Sequence, residues 1–317
     1  MSASFVKSAL RLLAAGAAVA AATFVGAGSS YAQGPCPQCG PQVQIKDVDK
    51  AIGEAAQSMG LVRAILQTIG QMNNYEYVAN GSWVDLEAAT LGQPQPVSKI
   101  VWNVHQQLWA SRMQVSGVAA HRVVKGNRAW DETWFEEKGK AGTVKKIRTN
   151  PADGAAKLRA QLVWLEPHAF LSHVAFAANK KCLLTEAKAC ETKWSKGEEN
   201  GLTTLSVEIN GVTYKGTLDA KKRIGSIEAK LDLPSGAGKT VVAKYTQWRA
   251  GETDTNDPKD RAAQGPKALD KFHNGLYWPE KVVWELDGQK VLDLTVTEGW
   301  GNPYTIYPEP ELLAKAQ

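Results

Sequence analysis

The chain has 317 residues and a formal net charge of +5, with 44% hydrophobic and 22% charged residues. This length is sufficient for a large domain with a sizeable hydrophobic core. The charge is nearly balanced and the basic residues are dispersed, which argues against a nucleic-acid partner, because such a partner requires a basic face.

The N-terminal segment, residues 1–32, has the pattern of a secretory signal peptide. Lys7 and Arg11 precede an uncharged apolar run, and Ser30-Tyr31-Ala32 places small residues where signal peptidase cuts. We therefore predict a periplasmic mature protein that starts at Gln33 and has no transmembrane segment. An uncleaved membrane anchor is the alternative, because the run approaches the ~18 residues that a membrane span needs.

The four cysteines form two local pairs, as is typical of a protein from an oxidising compartment. Cys36 and Cys39 lie in an extended segment, residues 33–45, that is rich in Pro, Gln and Cys, and Cys182 and Cys190 flank a charged loop. We predict two structural disulfides. A redox or metal role stays open for the first pair.

The first half of the chain predicts a helical segment followed by strands. Apolar residues in 47–70 recur at spacings of three and four, which predicts a helix or helix pair broken near Gly60. Large apolar residues then recur at every second position, which is typical of strands, and residues 98–115 are predicted to form one long strand. Lys125-Gly126-Asn127 is typical of a hairpin turn.

The second half predicts one further helical segment and a series of hairpins. Residues 151–178 have helical spacing with an expected kink at Pro167. Asn210-Gly211 predicts a two-residue turn with Ile209 opposite Val212 and Val207 opposite Tyr214. Asp287-Gly288 predicts another, with Glu285 opposite Lys290 and Trp284 opposite Val291.

The stretch LPSGAGKTVV, residues 233–242, only superficially suggests a phosphate-binding loop. The first glycine of that motif would fall on Leu233, and alternating β-branched and aromatic residues follow Thr240 instead of a helix. We interpret the glycines as a turn between two strands. Altogether, residues 46–317 are predicted to form a single α+β domain with about eight to eleven mostly antiparallel strands.

Three stretches resemble the superfamily of periplasmic lipoprotein carriers and outer-membrane lipoprotein-sorting proteins. They are HRVVKGNRAWDE, VTYKGTLDAKKRIGSIEAKLDLPSG and LYWPEKVVWELDGQKVLDLTVTEGWGNP. The resemblance implies a large curved antiparallel sheet, an open half-barrel, with helices packed on its concave face. It also implies a non-catalytic carrier that shields an apolar small molecule or an acyl chain and has an envelope protein as a further partner.

The eleven tryptophans are the most unusual feature of the composition. The simplest interpretation is that the tryptophans pack in the core. A second interpretation is that they line an apolar ligand cavity, because such cavities are lined mainly by apolar and aromatic side chains. A sugar-stacking surface is the third interpretation, and it would need several of Trp83, Trp102, Trp130, Trp248 and Trp284 to face solvent on one side of the sheet. If there is a ligand cavity between sheet and helices, the residues that we expect to line it are Trp102, Val104, Trp109, Trp130, Trp164 and Phe170.

Catalytic, metal and cofactor signals are weak. His168 and His173 are five residues apart, so on a helix they point to different faces, and we predict no metal site and no cofactor. We assign no catalytic residues. A secreted hydrolase that uses His and carboxylate groups, for example Glu166 with His168, is the alternative function, as is a cell-wall or carbohydrate-binding module.

Overall fold

The computed structural model describes residues 43–62, 67–69, 74–139, 142–179, 193–250 and 276–301. The predicted signal peptide, the predicted start at Gln33 and the pairs Cys36–Cys39 and Cys182–Cys190 lie outside these ranges.

The described ranges contain fifteen strands and three α-helices. The strands are β1 (Val43–Gln44), β2 (Thr68–Ile69), β3 (Asn74–Trp83), β4 (Gln95–His105), β5 (Ala110–Val115), β6 (His121–Lys125), β7 (Arg128–Gly139), β8 (Gly142–Pro151), β9 (Trp194–Glu199), β10 (Leu202–Ile209), β11 (Val212–Leu218), β12 (Ile224–Leu233), β13 (Gly236–Ala250), β14 (Tyr277–Leu286) and β15 (Gln289–Gly301). The helices are α1 (Lys50–Ser58), α2 (Ala156–Leu162) and α3 (Pro167–Ala178). Short 3-10 helices occupy Ile45–Asp47, Gln106–Leu108, Asp153–Ala155 and Val163–Leu165.

Thirteen strands form one open antiparallel sheet in the order β8-β7-β6-β5-β4-β3-β15-β14-β13-β12-β11-β10-β9. Two meanders, β3 to β8 and β9 to β15, are joined because the first strand of one pairs with the last strand of the other. The α+β class with a large antiparallel sheet is therefore confirmed. The sheet has more strands than predicted, partly because the expected long strand 98–115 is the hairpin β4–β5.

The β4–β5 turn has no Gly, Pro or Asn–Gly signal. The chain turns through the 3-10 helix Gln106–Leu108, and Nδ1 of His105 accepts a hydrogen bond from the backbone N–H of Leu108 at 3.3 Å. Trp109 then adopts a left-handed conformation with φ of 50°, which is rare for a bulky side chain. This turn moves Trp109 out of the strand on which it was predicted.

The first helix is shorter than the predicted segment. Asp49 caps α1 by accepting a hydrogen bond from the N–H of Ala51 at 2.8 Å. Gly60, at φ of 72°, follows its C-terminal end and confirms the predicted break. Ile69 lies in β2 opposite Val43 rather than in a helix. Its spacing from the apolar residues of α1 fits a helical repeat, and this spacing led to the wrong prediction.

The kink predicted at Pro167 is wrong, because α2 and α3 are two separate helices. Glu166 is extended, with ψ of 124°, and Pro167 is the first residue of α3. Proline is well tolerated there because the first N–H groups of a helix have no intrahelical acceptor. The predicted start of this helical segment at residue 151 was wrong too, because Pro151 is the last residue of β8.

The hairpin registers agree with the sequence except at one bulge. Ile209 pairs with Val212 and Val207 with Tyr214, as predicted, and Lys125 pairs with Arg128 across the Gly126–Asn127 turn. Glu285 pairs with Lys290, but Trp284 pairs with Leu292 instead of Val291. A β-bulge between Trp284 and Glu285 causes this shift.

The core lies between the sheet and the helices. Every residue of α3 from Pro167 to Ala177 is buried. Helix α2 contacts β5, β6 and β7 from one meander and β12 from the other, and α3 contacts β9, β10, β12 and α1. Among the described helices, none is long and apolar enough to cross a membrane.

Candidate functional site

An apolar cleft lies where α2 meets the central strands of the sheet, and we call it the tryptophan cleft. Its cavity volume is about 40 Å³, which holds a few water molecules and is far below the volume of a typical small-molecule site. It is lined by Trp83, Val84, Leu86, Glu87, Trp102, Ser111, Met113, Arg122, Arg159, Leu162, Trp284, Val291 and Leu292.

Three tryptophans form the aromatic part of this lining, and strand register brings them together. Trp83 pairs with Leu292 across β3 and β15. The bulge places Trp284 opposite the same Leu292. The rings of Trp102 and Trp284 meet edge to face at 5.4 Å between centroids, a geometry that aromatic pairs favour.

Arg159 of α2 lies at the polar end of the cleft and is 5% exposed. Its guanidinium makes a bidentate pair with Glu87, at 2.8 Å for both contacts. It also donates to Asp131 at 2.7 Å and to the carbonyls of Val123 and Trp130 at 3.1 and 2.9 Å. All five N–H donors of the guanidinium are therefore used, and they fix α2 to β6, β7 and the segment after β3.

Arg122 of β6 is paired in a similar way. Its two terminal nitrogens donate to the carboxylate of Asp85 at 2.7 and 2.5 Å, and its guanidinium lies over the Trp83 ring at 5.1 Å. Burial raises the pKa of Asp85, but Arg122 outweighs burial and leaves that pKa below its usual value. Because carboxylates of the protein itself compensate both arginines, the cleft offers mainly its apolar walls.

A second, wider cleft lies on another face of α2, and we call it the open cleft. Its cavity volume is about 620 Å³, a size within the range of small-molecule sites. It is lined by Leu108, Trp109, Gly126, Asn127, Asp153, Ala156, Lys157, Ala160, Gln161, Trp164, Ile209, Asn210 and Tyr214. Helical spacing explains the separation, since Arg159 and Leu162 face one cleft while Ala160 and Gln161 face the other.

The structure distributes the six predicted lining residues among several environments. Trp102 lines the tryptophan cleft, and Trp109 and Trp164 line the open cleft. Val104 and Phe170 are fully buried in the main core. Trp130 packs in a small separate cluster with Ala110 and Val123.

The residues that sequence reasoning missed in the tryptophan cleft are mainly its arginines and its short aliphatic segment. Arg122 and Arg159 carry no pattern that distinguishes them from solvated arginines. Leu86 was predicted to lie in a strand over residues 75–88, because Val84 and Leu86 alternate with Asp85 and Glu87, but it lies in a turn after β3. Trp83 and Trp284 were considered only for a sugar-stacking surface. Their clustering depends on the β3–β15 pairing and the bulge near Trp284, neither of which a local pattern shows.

Glu166 and His168, considered for a hydrolase, form a buried pair. Nδ1 of His168 lies 2.6 Å from Oε1 of Glu166, and Nε2 of His168 lies 2.8 Å from the carbonyl oxygen of Tyr277. Oε2 of Glu166 accepts a hydrogen bond from the N–H of Ala169 at 2.5 Å, which caps α3. The side chains are 1% and 0% exposed and line neither cleft, so the pair has a structural role.

No protein-family model matches the chain, and no curated protein matches it.

Proposed function

We propose that this protein is a periplasmic, non-catalytic carrier that shields an acyl chain or a similar apolar ligand in the tryptophan cleft. In this proposal the large antiparallel sheet is an open half-barrel, and the helices pack on its concave face. Contacts of α2 with strands of both meanders support such a curvature, since a flat sheet would not bring β7 and β12 to one short helix.

The observation that carries the proposal is the clustering of Trp83, Trp102 and Trp284 along an apolar cleft. Because the cavity volume is only about 40 Å³, the walls of the cleft must move apart to admit an acyl chain. Leu86, Met113 and Leu162 extend the same apolar lining. Burial of acyl methylenes against such walls contributes about 0.8 kcal/mol for each CH₂ group.

The charge arrangement also favours an apolar ligand. An anionic ligand would need an arginine whose donors are available, but Arg159 uses all five donors on groups of the protein. The carboxylate of a fatty acid would therefore stay at the solvent side of the cleft, and its chain would lie against the tryptophans.

Dodecanoate binding tests the proposal, with Met113 as the site of a blocking substitution. Met113 is partly buried and lines the tryptophan cleft. Met113→Trp should fill the cleft and abolish both the heat of dodecanoate binding and the change in tryptophan fluorescence seen with wild type. Met113→Leu, which conserves volume and polarity, should bind like wild type.

Two results would refute the proposal. One is the absence of any heat or fluorescence change when folded wild-type protein, stripped of endogenous lipid, is titrated with dodecanoate below its micelle concentration. The other is equal dodecanoate affinity of Met113→Trp and Met113→Leu, which would place the ligand elsewhere.

A further inference from the structure

The open cleft contains buried hydrogen-bonding groups that have no partner within the described part of the chain. Gln161 is 6% exposed, and its Oε1 accepts no hydrogen bond. The indole N–H of Trp109 is buried and donates to no acceptor there. Both residues line the cleft. Buried polar atoms are nearly always paired in native proteins, so an unpaired donor and an unpaired acceptor in one cleft need an explanation.

His173 of α3 extends this unpaired region behind the cleft. Its ring lies 4.7 Å from that of Trp164 and 6.4 Å from that of Trp109, measured between centroids. Neither ring nitrogen has a hydrogen-bond partner among the described residues. Burial lowers the pKa of His173 to about 4, so at neutral pH the ring offers one donor and one acceptor.

The walls of the open cleft combine aromatic faces with side-chain amides. Trp109, which is partly buried, meets the buried Trp164 edge to face at 5.4 Å, and the buried Tyr214 also lines the cleft. Asn127 and Asn210 lie at the rim, on exposed turns of the two meanders. Hydrogen-bonding amides beside aromatic faces suit a ligand that has apolar C–H faces and many hydroxyl groups.

The charges that line the open cleft favour a neutral ligand. The lining includes one cationic and one acidic side chain, Lys157 and Asp153. Lys157 pairs with Asp232 at 2.9 Å, and Asp153 accepts a hydrogen bond from the backbone N–H of Ala129 at 3.2 Å. The cleft therefore has no excess charge to recognise a phosphate or a carboxylate.

We propose that the open cleft binds a neutral saccharide. A sugar hydroxyl is both donor and acceptor, so sugar hydroxyls can donate to Oε1 of Gln161 and accept from the indole N–H of Trp109. The partly buried ring of Trp109 then contacts a C–H face of the sugar, with the buried ring of Trp164 packed against it. This site is distinct from the tryptophan cleft and goes beyond the acyl-chain proposal.

Calorimetric titration tests the inference with hexasaccharides of glucose, N-acetylglucosamine and mannose and with the matching monosaccharides. At least one of these sugars should bind wild type. Binding of hexasaccharides alone identifies a glycan chain as the ligand, and equal binding of a monosaccharide identifies a free sugar. Gln161→Leu and Trp109→Phe should each weaken the affinity by about tenfold, the effect of one lost hydrogen bond.

The controls separate the saccharide site from folding and from the acyl-chain site. Gln114→Leu changes an exposed glutamine of β5 that lines neither cleft and should bind sugar like wild type. Met113→Trp should leave sugar affinity unchanged. Gln161→Leu should keep its fold, because it removes an unpaired polar atom. If no sugar in the panel binds below 10 mM, or if Gln161→Leu binds as tightly as wild type, the inference is overturned and ordered water is the partner of these groups.

Discussion

Replacement of Arg159 by methionine should destabilise the protein by several kcal/mol. The substitution keeps much of the apolar stem but removes five donors, so Asp131 and two backbone carbonyls lose this partner, and Glu87 keeps only its ion pair with Arg122 at 3.7 Å. Removal of one partner from a buried ion pair typically costs 3–5 kcal/mol, because the remaining charge is left uncompensated. We expect about 3–5 kcal/mol for Arg159→Met, a large part of the ~5–15 kcal/mol that stabilises a typical domain.

Lys157→Met on the same helix is the matched control. The ion pair of Lys157 with Asp232 is solvent-exposed, with side chains 67% and 55% exposed, and such surface pairs contribute little to stability. Arg159→Lys is a third variant, which keeps the charge but cannot reproduce the bidentate contact with Glu87. It should fall between the other two in stability.

Urea denaturation followed by tryptophan fluorescence measures these three free energies of unfolding. A cost for Arg159→Met within about 1 kcal/mol of that for Lys157→Met would refute the assignment of Arg159 as the residue that fixes α2. Because α2 forms part of both clefts, a folded Arg159→Lys protein should also bind dodecanoate more weakly than wild type.

Two further substitutions test the interior. Burial lowers the pKa of His173 from 6.5 to about 4, so the unfolded chain binds more protons between these values and stability falls as pH decreases through that window. The buried His173 accounts for about 3 kcal/mol of the stability that is lost on acidification. His173→Phe should therefore lose less stability than wild type between pH 7 and pH 4. Equal losses would contradict the lowered pKa of His173. An added Cβ at Gly216 would lie 2.3 Å from the Phe170 ring, whereas one at Gly92 would meet nothing within 4 Å. Gly216→Ala should therefore cost about 1–3 kcal/mol in urea denaturation and Gly92→Ala much less; a neutral Gly216→Ala would show that the Phe170 ring borders empty space.

Local turn chemistry was the part of the fold that could be predicted best. Asn210-Gly211 specifies a two-residue turn, and the turn sets the register of Ile209 with Val212. The β4–β5 turn could not be predicted in the same way. It depends on the His105 side chain and on a left-handed Trp109, and the tertiary structure imposes that conformation against the local preference of the residue.

The candidate sites were harder to predict because they depend on contacts between distant segments. Trp102 was expected to contact a ligand, but its cleft also needs Trp83 and Trp284, which the β3–β15 pairing brings together. Phe170 and Trp164, both in the helical segment predicted for residues 151–178, were expected to line one cavity. In the structure α3 is buried on all sides, so the periodicity of its apolar residues could not indicate which of them faces a cleft.

Native mass spectrometry of the protein with dodecanoate tests the central claim most directly. The account predicts a one-to-one complex for wild type and Met113→Leu, and no complex for Met113→Trp under the same conditions. Protein purified from its native source should also carry an acyl-containing molecule that organic extraction releases. Wild-type protein that shows only its unliganded mass, both as purified and with excess dodecanoate, would contradict the carrier function.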